Sequence, residues 1–151
     1  MSLEVGTKSY CMICKQAITN STEHECQIKR QVLTDPILVG IVDRLYNLGL
    51  EPVMAIYSVN SVGTASDVYN PSIIIQLSTQ IKCKILGELP AGWAYCWDDG
   101  MVFSLDYNDW CTYIDIVEAE TRLKEVTKEF EAFLDTRDVE STRAVILLAT
   151  G

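Results

Sequence analysis

The stretch Thr34-Asp35-Pro36-Ile37-Leu38-Val39-Gly40-Ile41-Val42-Asp43-Arg44-Leu45-Tyr46-Asn47-Leu48-Gly49 decides the fold. Thr34-Asp35-Pro36 supplies a cap oxygen and a proline at the first helical position, where its missing N–H costs nothing. Leu38, Ile41, Val42, Leu45 and Leu48 recur at helical spacing, and Gly49 stands where a left-handed C-cap is wanted. Upstream, residues 27–33 alternate, with Ile28 and Val32 on one face and Lys29 on the other, which predicts a short strand. Downstream, Glu51 to Asn60 is apolar and partly β-branched, as a buried strand should be. Strand, helix and strand form a βαβ unit, whose crossover should be right-handed.

Working outward, a polar loop runs from Ser61 to Asn70 and ends at Pro71. Ser72 to Ser78 reads as a third strand, and residues 79–86 fit either its continuation or a short helix. Pro90 and Gly92 break the pattern. Trp93 to Trp97, Asp98-Asp99-Gly100 and Met101 to Leu105 predict a hairpin, because Asp-Gly tolerates the positive φ angles of a type I′ turn. From Ile114 to Leu134 the apolar set Ile116, Leu123, Val126, Phe130, Phe133 and Leu134 keeps a 3-to-4 spacing and predicts an amphipathic helix. Asp138 is placed to cap a last helix over residues 139–149, although residues 144–149 also suit a terminal strand. The fold class is therefore α+β: a mixed sheet with one βαβ unit and one hairpin, two or three covering helices and an N-terminal zinc knuckle.

The chain has 151 residues, 48% of them hydrophobic and 22% charged, which suits a single globular domain over residues 1–151. No apolar run reaches the roughly eighteen residues of a membrane span, and Met1 to Tyr10 lacks a signal peptide's apolar core. A cytoplasmic setting with reduced thiols is expected. Charge is unevenly placed: from Asp98 to Glu140 there are thirteen acidic and four basic residues, and that difference equals the whole net charge of −9. Such a surplus disfavours nucleic-acid binding by the C-terminal half and suits a basic protein surface, while serving solubility in any case.

Cys11-Met12-Ile13-Cys14 is followed by His24-Glu25-Cys26, and His24 is the one histidine in the chain. Two thiolates separated by two residues grip one metal ion from a single turn, and a second pair completes a tetrahedron. His24 and Cys26 lie two apart, so in an extended segment both point the same way. Cys11, Cys14, His24 and Cys26 are therefore expected to hold structural zinc in a knuckle over residues 10–27. A redox pair is the alternative for Cys11 and Cys14, but a thioredoxin-type motif follows a strand and opens a helix, and this pair precedes both. Cys83, Cys96 and Cys111 sit among apolar or aromatic neighbours, as small buried hydrophobes do.

Asp98, Asp99, Asp106 and Asp109 lie on or beside the hairpin and offer oxygens to a hard cation, yet turn, loop and cap chemistry accounts for them. Trp93, Tyr95 and Trp97 alternate onto one strand face, a pattern of core packing more than of base stacking when no Lys or Arg is interleaved. The 61–70 loop follows a strand of the βαβ unit, a common ligand-binding place, with Ser58, Asn60, Ser61 and Asp67 as its candidate residues. It has one glycine and no phosphate-cradling motif. With its single histidine assigned to metal, the chain lacks a general base for Ser-His-Asp or Cys-His catalysis, and it has neither a P-loop nor GxGxxG.

The helix 37–49, the strand 50–58, the polar loop, the strand 72–77 and Leu89-Pro90-Ala91-Gly92-Trp93 follow one another in an order met elsewhere. This order resembles small uncharacterised proteins of Gram-positive bacteria and their phages. In those, a helix ending Leu-Asn-x-x-Gly precedes a strand, a loop carrying Cys and His, a further strand and a Leu-Pro turn. Here Leu45-Tyr46-Asn47-Leu48-Gly49 is a shifted match, and Tyr57-Ser58-Val59-Asn60 replaces the Cys/His loop. The resemblance covers residues 35–95 and implies a small α+β fold and a phage or prophage origin, without an activity. The sequence thus favours a non-enzymatic, zinc-binding interaction protein with an acidic helical face. The alternative is a small enzyme or ligand-binding module using the 61–70 loop and the 98–109 carboxylates. A homo-oligomer is compatible with either.

Overall fold

In the computed structural model the described residues are 7–18, 31–59, 68–109 and 112–150. Seven strands form one sheet: β1 (Lys8–Cys11), β2 (Gln16–Ile18), β3 (Gln31–Thr34), β4 (Pro52–Ser58), β5 (Ser72–Ile81), β6 (Trp93–Asp98) and β7 (Met101–Asn108). Their order across the sheet is β2-β1-β3-β4-β5-β7-β6. Among the described strands only β3 and β4 pair in parallel, with Leu33 beside Met54 and Thr34 beside Ala55, and the helix between them makes the βαβ unit. Every other pairing is antiparallel, so the sheet is mixed.

The three helices are α1 (Val39–Asn47), α2 (Ile116–Asp135) and α3 (Val139–Thr150), with a 3₁₀ turn over Pro36–Leu38 leading into α1. The expected cap at the start of this helix takes another form. Asp35 precedes the 3₁₀ turn without a side-chain capping bond. Its carboxylate instead accepts the Tyr57 N–H at 2.9 Å and the Thr7 hydroxyl at 3.2 Å. Asp35 is only 6% exposed, so a strand amide at hand satisfies it better than the open first turn. Gly49 closes α1 at φ +96°, and its N–H reaches the Tyr46 carbonyl.

The second helix starts two residues later than its periodicity suggests, because Asp115 accepts the Val117 N–H at 2.9 Å and fixes the N-cap there. Hydrogen bonds from Ser141 to Asp138 cap α3 and hold that carboxyl below its ordinary range, deciding residues 139–149 in favour of helix. At the hairpin, Asp99 and Gly100 take φ of +53° and +76°, as the type I′ turn demands. Residues 79–81 continue β5, and a turn follows before the Leu89-Pro90 segment.

Alternation divides the sheet into two unlike faces. Ile73, Ile75 and Leu77 of β5, with Leu105 and Tyr107 of β7, join one buried cluster with Leu38 of the 3₁₀ turn and Ile41 and Leu45 of α1. Leu123, Val126, Phe130 and Leu134 of α2 and Ile146 of α3 complete it. The outward residues include Ile74 of β5 and Leu33 of β3, which are 40% and 50% exposed. The helices therefore cover one face only.

Candidate functional site

Cys11 ends β1 and Cys14 lies in the turn before β2. The Cys-x-x-Cys pair therefore follows a strand, against the expectation that it precedes one, but opens a hairpin of the sheet and not a helix. Lys8 to Cys11 pair on their other side with β3, from Lys8–Thr34 to Cys11–Gln31. The turn is tight: Lys15 takes φ +62° and donates its N–H to the Cys11 carbonyl at 2.9 Å. The Cys14 N–H points at the Cys11 Sγ, 3.5 Å away. A backbone amide aimed at sulfur offsets part of a thiolate's charge, which suits a metal-bound cysteine. Cys11 is buried and Cys14 half-buried, and neither is in a disulfide.

Cys11 and Cys14 are two of the four expected zinc ligands. His24 and Cys26, the expected remaining ligands, lie outside the described residues. Among the described residues no three His, Cys, Asp or Glu side chains gather into a metal-binding group. Beside the hairpin, the Tyr10 hydroxyl donates to Asp43 at 2.8 Å, and Lys15 reaches the same carboxylate at 3.2 Å. Burial first, and then the Asp43 bond, push the Tyr10 hydroxyl well above its ordinary pKa. The hairpin is thereby tied to α1.

Of the loop residues, Asn60, Ser61 and Asp67 lie outside the described residues, while Ser58 ends β4. In register, Ser58 stands beside Ser72, and Ser72 beside Asn108. A shallow hollow of about 390 Å³ there is lined by Ser72, Ile74, Ala94, Asp106 and Asn108, among others. This joins the start of β5, which follows the loop, to one hairpin carboxylate, while Ser58 does not line it.

The four hairpin aspartates do not converge. Asp98 and Asp99 sit at the exposed turn. Asp106 lies within β7, not in a loop as expected, and accepts the Ser104 hydroxyl. Asp109 accepts the Tyr107 hydroxyl at 2.7 Å and lies 3.8 Å from Arg122. Strand alternation explains the separation, since Asp106 and Tyr107 point to opposite faces.

Of the acidic surplus, α2 carries about a third, with six acidic and three basic residues. Part of it is matched internally. Arg122 meets Glu125 at 3.2 Å and Glu129 at 3.1 Å, while Arg44 meets Asp135 at 2.9 Å and Glu131 at 3.6 Å. Arg122, with Asp109 counted, thus meets three carboxylates and Arg44 two, and the helix stays net negative.

The aromatic strand splits by depth. Trp93 stacks on Phe130 with ring centroids 3.8 Å apart, so it is core beneath α2 as expected. Tyr95 is half-buried, and its hydroxyl donates to the Gly87 carbonyl at 2.6 Å and accepts from the Leu86 N–H at 3.1 Å. Trp97 is 44% exposed. It opens onto a groove of about 840 Å³ whose other wall is the Lys84–Ala91 segment. Sequence reasoning missed this groove. Its signal was the Gly87-Glu88-Leu89-Pro90-Ala91-Gly92 run directly before an aromatic strand, since turn residues beside an edge strand leave space along it. Comparison with protein-family models, with curated proteins and with solved structures found no match.

Proposed function

We propose that this chain is a zinc-binding, non-catalytic interaction protein that uses its acidic helical half to hold a basic protein partner, and that it is of phage or prophage origin. The observation that carries the reading is the net negative α2, with Glu125 and Glu129 more than half exposed although Arg122 bridges them. Exposed like charges steer an oppositely charged partner and give a salt-sensitive association. The Cys11–Cys14 turn supports the metal assignment, because its N–H···S geometry suits a bound thiolate. Zinc there would stabilise a hairpin too small to supply its own core. No described helix is long and apolar enough to cross a membrane. The hollow beside Ser72 and Asp106 favours a second reading, a ligand-binding module at that end of the sheet.

Two measurements test the main reading. Elemental analysis should find about one zinc per chain, lost in a Cys11→Ser, Cys14→Ser double variant. Pull-downs at low and high salt should retain a partner only at low salt, and Glu118→Gln, Glu125→Gln, Glu129→Gln should release it. Retention that ignores both salt and the three substitutions would overturn the interaction.

A further inference from the structure

Register across the sheet sorts its outward side chains into rows. One row crosses every strand, from Ile18 of β2 through Leu33, Met54 and Gln76 to Cys96 of β6. The next sets Ile56 beside Ile74, Ile74 beside Asp106 and Asp106 beside Ala94. Both rows turn away from the helices, because Ala55, Ile75 and Leu105, their neighbours along the strands, join the covered core. Leu33 and Ile74 are 50% and 40% exposed, Gln76 and Ala94 are exposed, and Met54 and Ile56 are half-buried.

In these rows Asp106 is the only charged residue, although the chain is 22% charged with a net charge of −9. Its carboxylate accepts the Ser104 hydroxyl on the same face. Seven strands about 4.8 Å apart, over five residues of β5, give the face roughly 500 Å² per copy. Two such faces together reach the roughly 1,000 Å² at which specific interfaces begin.

We propose that two copies of this chain pair face to face through the open side of the sheet, with Leu33 and Ile74 in the contact. Charge selects the occupant. Two copies at −9 each repel wherever their carboxylates meet, and these rows offer a contact almost free of them. Packed sheets lie about 10 Å apart, and each α2 lies beyond its own sheet. The two acidic helices would therefore stand more than about 30 Å apart, several Debye lengths at physiological salt. A basic partner finds no array of carboxylates on this face, and the pairing leaves both α2 helices outside to receive one.

Sedimentation equilibrium of the full chain tests this. The mass should rise from 16.9 kDa towards twice that value across micromolar concentrations, and high salt should not reverse the rise. Leu33→Lys and Ile74→Lys should each weaken the pairing by about tenfold or more, while Val117→Lys, on the helical side, should leave it unchanged. Methyl NMR of the unsubstituted protein needs no variant to fold: on dilution the Ile56 and Ile74 methyls should shift and those of Val117 should not. A monomer at every concentration would overturn the proposal, as would a dimer that high salt dissolves. So would a dimer whose Ile56 and Ile74 methyls ignore dilution, or one lost in Leu148→Lys but kept in Leu33→Lys and Ile74→Lys, which would put the contact on the exposed side of α3.

Discussion

Gly92 is where the chain enters β6 against an aromatic ring. Its φ is +88°, and a Cβ placed there would lie 2.5 Å from the Tyr107 ring. Both the left-handed backbone and the ring, packed in the core, oppose any side chain. Gly92→Ala should therefore cost more than about 1 kcal/mol, read as a lower urea midpoint with an unchanged slope. Four residues on, Cys96 illustrates a different residue-scale control. Burial, followed by the Asp106 carboxylate, pushes its thiol up to about 11. The thiolate is the reactive species, so Cys96 should label slowly with iodoacetamide near neutral pH, and peptide mass spectrometry reads this directly. Rapid labelling at neutral pH would contradict the burial seen for this side chain.

At the scale of elements, α2 is held by a stripe and not by its charges. Ala119, Leu123, Val126, Phe130 and Leu134 are buried, and Phe130 stacks on Trp93. Phe130→Ala should destabilise by about 3–5 kcal/mol, whereas Val117→Ala, at a 57% exposed position, should change the midpoint little. Most of this stripe was legible in the sequence because helical periodicity is a local signal, as were the Gly49 stop and the Asp99-Gly100 turn. Ile116, expected on the apolar face, is instead 41% exposed, and Ala119 is buried in the first turn. The start of α1 was only half legible. Pro36 marks it correctly, but Asp35 was drawn away by the Tyr57 amide, a partner twenty-two residues off that no local pattern reveals. For the same reason the strand order escaped the sequence. The pairing of β5 with β7, and not with β6, depends on which long-range register buries Ile75 beside Leu105. Cys11 and Cys14 were found by their spacing, yet their hairpin was not, because β1 pairs with β3 and is recognisable only once the sheet exists. The groove beside β6 was hidden likewise, since an edge is a property of the assembled sheet.

For the whole molecule, the buried and half-buried hydroxyls and thiol set an alkaline limit to stability. Burial is the leading cause of raised pKa values at Tyr10, Tyr57, Tyr95, Cys96 and Tyr107, with Tyr95 pushed up to about 12. In the unfolded chain these groups ionise near their ordinary values, about 8.5 for a thiol and 10 for a phenol. Above those values the unfolded state holds fewer protons than the folded one, so the stability falls as pH rises. Their full contribution is present below about pH 8.5 and is lost progressively as pH climbs through the raised folded values. Urea midpoints should accordingly hold steady up to mildly alkaline pH and then drop steeply. Cys96→Ser should delay the start of that fall, because the thiol has the lowest unfolded pKa of the set. Tyr95→Phe should reduce its slope at higher pH, at the expense of the Gly87 and Leu86 hydrogen bonds near neutrality. A midpoint that stays flat through strongly alkaline pH would mean that these side chains ionise equally well in the folded protein, and that the surroundings described for them do not hold.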